Sequence, residues 1–133
     1  MTTSIELLCF TVDSANPKAL AEFYRALLDW RLYHEQDAYS IIGNGSAVLG
    51  FTRVDGHVAA PWPDDPAHSK GAHIDLKVAD TAQAIARAVE LGATVPDFQP
   101  GHAPDRVSPN QWTVLLDPEG HPFCLVELPE SIG

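Results

Sequence analysis

Two stretches carry the same message: Leu8-Cys9-Phe10-Thr11-Val12-Asp13 leading into Asn16-Pro17, and Ala72-His73-Ile74-Asp75-Leu76-Lys77-Val78 leading into Asp80. Each alternates apolar and polar residues and then meets a helix-capping side chain and an amphipathic run, the first ending at Trp30 and the second at Gly92. Cys9 precedes Asn16 by seven residues, and His73 precedes Asp80 by the same seven. A strand-then-helix unit used twice in a short chain implies two pseudo-symmetric halves with a ligand cleft where they meet.

Working outward from the first stretch, alternation over Ile5 to Val12 predicts a strand with Leu8, Phe10 and Val12 on one face. Asn16 suits an N-cap and Pro17 the first helical position, where a missing N–H costs little. Leu20, Phe23, Tyr24, Leu27 and Leu28 recur at helical spacing, so residues 16–29 read as a helix packed on that strand. Three apolar segments follow, Trp30 to Tyr33, Tyr39 to Ile42 and Ala47 to Val54, with a hairpin signal at Gly43-Asn44-Gly45. Residues 55–71 break the pattern with Pro61, Pro63 and Pro66 and read as a linker.

The second half restarts with Ile74, Leu76 and Val78 on one face and His73, Asp75 and Lys77 on the other. Asp80 caps a helix that uses Ile85, Val89 and Leu91 and stops at Gly92. Ala93 to Phe98 is an expected strand, 99–110 a loop, and Gln111 to Leu116 a strand. The Asp117-Pro118-Glu119-Gly120 turn leads to a last strand, His121 to Leu128. The expectation is an α+β chain of two βαβββ modules in tandem, residues 1–54 and 72–128, within one domain spanning 1–133, whose curved sheets form a ligand cleft. In both opening strands the apolar parity belongs beneath the helix, which turns Cys9, Thr11, His73, Asp75 and Lys77 toward the concave face.

Eighteen acidic against eight basic residues give a formal charge of −10, which argues against nucleic acid or an anionic membrane as partner and suits, without requiring, a cationic ligand. No basic leader precedes the first apolar run, and nothing has the length of a membrane span. Two cysteines, both in expected strands, do not make a secreted disulfide framework, so the expected location is the cytoplasm.

The repeat, the helix Asn16-Pro17…Ala21-Glu22-Phe23-Tyr24…Leu27-Leu28 and the closing segment from Asp117 through His121 and Cys124 to Glu127 resemble the vicinal oxygen chelate superfamily. This superfamily takes in glyoxalase I, extradiol dioxygenases, fosfomycin-modifying enzymes and bleomycin-binding resistance proteins. The linker Trp62-Pro63-Asp64-Asp65-Pro66 followed by His73-Ile74-Asp75-Leu76 is similar to its glyoxalase-like domains. The resemblance implies four metal-ligand positions, which fall on Cys9, Gly50, His73 and Cys124; only His73 keeps the residue type expected there. Gly50 has no donor, and two cysteines change the metal preference away from the hard ligands of a dioxygen-chelating Lewis acid.

Two readings of the three remaining residues follow. In one, Cys9, His73 and Cys124 hold zinc or another divalent metal with an open fourth position. In the favoured one, no metal or other cofactor is held and both cysteines fill strand positions as small apolar residues. His73 is the candidate catalytic residue, with Asp75 on the same face roughly 6–7 Å away, too far for a direct hydrogen bond. Trp62 and Trp112 are candidate walls of the ligand site. Thr11, Phe51, Asp75 and Lys77 complete the candidate ligand contacts, although Phe51, like Tyr24 and Trp30, reads first as core. Arg53, Lys77 and Arg106 are candidate anchors for an acidic group. Glu127 has the opposite parity from Cys124 and falls outside the cleft face. The leading expectation is a small-molecule-binding protein that sequesters an antibiotic or related natural product, with a homodimer implied by the resemblance. The alternative is an isomerase, lyase or transferase using His73, with or without zinc.

Overall fold

In a computed structural model, residues 3–102 and 112–127 are described. The chain packs as two compact units, Met1–His57 and Val58–Gly133. The described residues form seven strands, two α-helices and one 3₁₀ turn.

In the first unit, β1 (Phe10–Ser14) leads into α1 (Pro17–Leu28), followed by β2 (Arg31–Glu35), β3 (Tyr39–Gly43) and β4 (Val48–Arg53). The sheet order is β1-β4-β3-β2, with β1 parallel to β4 and the other pairs antiparallel. The Asn16 side chain accepts from Ala19 N–H, Pro17 opens α1, and Asp29, in the left-handed region at φ 56°, ends it. The buried stripe is Leu20, Ala21, Phe23 and Tyr24, and the Tyr24 ring stacks on Phe51 at 5.6 Å.

The first strand is shorter than its alternation predicts. Its ladder begins at Phe10 opposite Leu49, one residue after β4 itself starts. Among the described residues those upstream have no partner strand, and Ile5, Leu7 and Leu8 are exposed. Alternation alone does not make a strand where the ladder has run out.

In the second unit, β5 (Ile74–Lys77) precedes α2 (Thr81–Leu91), the 3₁₀ turn Pro100–His102, β6 (Trp112–Leu116) and β7 (Pro122–Val126). The order is β5-β7-β6, with β5 parallel to β7 and β6 antiparallel to it. Asp80 accepts from Gln83 N–H at the start of α2, and Glu127 accepts from both Thr81 N–H (2.7 Å) and the Thr81 hydroxyl (2.9 Å). Gly92, at φ 120°, ends the helix by donating to Ala88 and Val89 carbonyls in a conformation that side chains disfavour. The buried member of α2 is Ala88 rather than Val89, which is exposed. Val89 is one position, or about 100°, round the helix from Ala88 and so leaves the stripe of Ala84, Ile85, Ala88 and Leu91.

The expected strand Ala93 to Phe98 reduces to one bridge, Thr94 opposite Leu116. Pro96 has no N–H to extend the ladder. The Gln99 side-chain amide takes over instead, accepting from Val114 N–H at 2.8 Å and donating to Val114 C=O at 2.9 Å. The linker residues 55–71 have turns but no helix or strand. Among the described residues, no helix is long and apolar enough to cross a membrane.

Candidate functional site

Pairing register puts the chemistry of the second unit on one face. Asp75 lies opposite Cys124, and Lys77 opposite Val126, across β5 and β7. Cys124 lies opposite Val114, and Val126 opposite Trp112, across β7 and β6. The two-residue period places Asp75, Lys77, Trp112, Val114, Cys124 and Val126 together, with Leu76, Thr113, Leu115, Phe123 and Leu125 on the other face. That parity is the one read for Asp75 and Lys77 from sequence. Glu127 is committed to the N-terminus of α2, in keeping with its opposite parity.

A cavity of about 250 Å³ opens on this face, lined by Lys70, His73, Asp75, Trp112, Cys124 and Val126. Trp62, only 7% exposed, packs with Val114 and Cys124 as a small core, against which Trp112 and Val126 rest. The two indoles stack with centroids 6.5 Å apart and an interplanar angle of 16°. Trp112 thus lines the cavity, while Trp62 supports it from within. Lys70 Nζ lies 4.5 Å above the Trp62 ring.

His73 Nε2 is 3.1 Å from Asp75 Oδ1, a direct contact where the strand geometry predicts separation. His73 immediately precedes the first residue of β5, so it is not held to the regular pleat and its ring can lean toward Asp75. Asp75 also accepts from the Cys124 thiol. Burial first, and the Asp75 carboxylate second, push that thiol from 9.0 to about 12. Cys124 is therefore a neutral thiol near pH 7, forming an apolar floor with one hydrogen bond to give.

The ligand atoms of His73, Asp75 and Cys124 all lie within 4.8 Å of one another. The sequence reading groups Cys9 with His73 and Cys124; within the second unit it is Asp75 that stands beside those two. Cys9 belongs to the first unit, where its Sγ is 3.4 Å from Thr11 Oγ1. Gly50, also in the first unit, is paired with Thr11, and a Cβ at Gly50 would stand 3.0 Å from Thr11 Oγ1. The donors at the four implied positions, two thiols, one imidazole and nothing at Gly50, do not fit a hard, oxygen-seeking dication. The local nitrogen, oxygen and sulfur set is of the type zinc accepts, provided the metal displaces the thiol proton.

The remaining candidates divide clearly. Phe51 is fully buried beneath α1 and is core. Thr11 and Lys77 are exposed. Arg53 is occupied with the chain itself, donating to the Asp37 carbonyl at 2.8 Å and the Ala15 carbonyl at 3.3 Å. Arg106 lies outside the described residues. Lys70 was missed because nothing in the linker's composition marks which of its residues folds back onto Trp62.

The α+β arrangement, with a strand–helix unit opening each of two successive sheets, is that of tandem βαβββ modules. The glyoxalase-like domain family matches residues 9–126, and the chain belongs to that family. No curated protein matches the chain. Among solved structures it is similar to a glyoxalase family protein from Enterococcus faecalis, at 22% identity and a TM-score of 0.68, covering 92% of this chain and 97% of that one. It is also similar to the fosfomycin resistance protein FosX from Mesorhizobium loti, at 13% identity and TM-score 0.62, covering 98% of each chain. A bleomycin resistance determinant encoded on the transposon Tn5 aligns at 20% identity and TM-score 0.59, covering 92% of this chain and 98% of that one. At these identities the likeness is one of fold.

Proposed function

We propose that this protein binds a small molecule on the aromatic-walled face of its second unit without a metal, and sequesters an antibiotic or related natural product. The observation that carries this reading is the state of Cys124. At a position where the resemblance implies a metal ligand stands a buried, neutral thiol beneath Trp112 and beside Trp62. Such a floor suits an apolar ring better than an ion. Similarity of fold to bleomycin and fosfomycin resistance proteins supports the same class of function. The cavity, at about 250 Å³, falls below the roughly 300 Å³ at which drug-sized sites begin, so it accepts one planar portion of a ligand rather than a whole large molecule.

Calorimetric titration with a panel of planar aromatic natural products tests the reading. Saturable one-site binding without product is expected, and Trp112→Ala should weaken it at least about tenfold, as removal of an aromatic anchor does. Unchanged affinity in a folded Trp112→Ala protein would sink the proposal. The expected cytoplasmic homodimer belongs to the same reading, and light scattering on the purified chain checks the dimer.

The contact between His73 and Asp75 favours a second reading, an isomerase, lyase or transferase in which His73 moves a proton while Asp75 orients its ring. Zinc, if held by His73, Asp75 and Cys124, would supply Lewis-acid polarisation of a bound oxygen. Mass spectrometry of a tight ligand after incubation separates the two readings. A product that His73→Ala abolishes, with the fold intact by circular dichroism, establishes the enzyme. Recovery of the ligand unchanged establishes the binder. Metal analysis of protein purified without chelators decides between zinc-dependent and metal-free chemistry.

A further inference from the structure

The geometry points to an anionic aromatic ligand, with Lys70 as the residue that selects it. This inference rests on the binding reading above and names the chemical class of the ligand. Of the charged groups that line the cavity, Asp75 is already engaged by His73 and by the Cys124 thiol. Lys70 sits over the Trp62 ring and its charge also reaches Cys124, but among the described residues its ammonium makes no hydrogen bond or ion pair. The cavity therefore contains one positive group with donors to spare and one carboxylate that already accepts from two neighbours.

The cation–π contact holds the ammonium over Trp62 at 4.5 Å and so fixes its position before a ligand arrives. A planar ring laid against Trp112 with a carboxylate directed at Lys70 would complete both halves of the site. The formal charge of −10 on the whole chain does not overrule this local charge. Exposed charges beyond about 8 Å are screened at physiological ionic strength, whereas Lys70 would touch the ligand's acid group. The cationic ligand suggested by net charge alone is thus replaced by one bearing acid.

The test is isothermal titration of the full chain with three probes of one shape: a naphthoate, the corresponding naphthamide, and the naphthylmethylammonium cation. The naphthoate should bind about tenfold tighter than the amide, the scale of one charge-assisted hydrogen bond in a partly open site, and its affinity should fall with added salt. Lys70→Met should erase the preference and Lys70→Arg should retain it, with circular dichroism confirming that both variants fold. A preference that survives Lys70→Met, or tighter binding of the ammonium probe, overturns the inference. Equal binding of amide and naphthoate by the wild-type chain overturns it while leaving the aromatic pocket standing. Binding of none of the three overturns the pocket reading and this inference together.

Discussion

Ellman's reagent, added to the folded protein at about pH 8, is expected to titrate one of its two free thiols, Cys9, and to leave Cys124 untouched until the chain is unfolded. Cys9 is partly exposed and Cys124 buried. The stronger barrier is electronic, because the attacking species is the thiolate. A thiol moved from 9.0 to about 12 carries about a thousandfold less thiolate at that pH, and since a more basic thiolate attacks faster, its reaction should be slower by about 30-fold before access is considered. Burial is the larger cause, so Asp75→Asn, which removes the carboxylate and leaves the packing, should restore only part of the lost reactivity. Two equally fast thiols in the native wild type would show that Cys124 is neither buried nor held neutral.

The same shift has a signed consequence for stability. The folded value lies above the unfolded one, so the contribution of Cys124 is fully present below about pH 9. Between about pH 9 and pH 12 the unfolded chain loses the proton while the folded chain keeps it, and the contribution is lost as pH rises. Denaturant unfolding at about pH 8 and about pH 10 should therefore show a steeper fall for the wild type than for Cys124→Ala. Lysines and tyrosines titrate in both proteins, and the difference between them isolates the thiol. A parallel fall in the two proteins would assign the alkaline loss elsewhere.

How far the sequence could be read follows from the range of each interaction. Caps and stripes are local, and both helices follow them: Asn16 and Asp80 accept from the N–H three residues on, and Gly92 ends α2. Parity is local as well, which is why Asp75 and Lys77 share the cavity's face and Glu127 does not. What escaped is whatever depends on a partner distant in sequence. The length of β1 is set by where β4 begins. The strand expected over Ala93 to Phe98 fails at Pro96, and its hydrogen bonds pass to Gln99, a substitution of side chain for backbone that no periodicity records. The contact of Asp75 with Cys124 requires the parallel register of β5 and β7, and Lys70 reaches Trp62 through an irregular linker. The site is thus legible as a face and illegible as a set of contacts.

Asp117→Ala should cost the fold about 3 kcal/mol and open the site as it does so. The Asp117-Pro118-Glu119-Gly120-His121 segment opens the closing stretch that carries the family resemblance, and the structure shows what holds it. Asp117, 3% exposed, uses Oδ1 to accept from Glu119 N–H at 2.9 Å and His121 N–H at 3.0 Å, and its Oδ2 lies 3.0 Å from His121 Nδ1. Its own N–H donates to the His121 carbonyl, and its carbonyl accepts from Gly120 N–H. Truncation to alanine keeps the backbone pair but takes the acceptor from three donors in a partly buried turn, each worth about 1 kcal/mol or more to leave unmet. For a chain of this length that corresponds to a fall in Tm of roughly 10 °C. Asp117→Asn retains one oxygen for the two N–H groups and should lose about half as much. Because this turn sets the register of β6 against β7, and hence the placement of Cys124 opposite Val114, the alanine variant should also expose Cys124 to Ellman's reagent under native conditions. A variant with unchanged Tm would remove the side chain from the account of the turn. A lowered Tm with Cys124 still inert would mean that the turn stabilises the unit without governing the strand register on which the site depends.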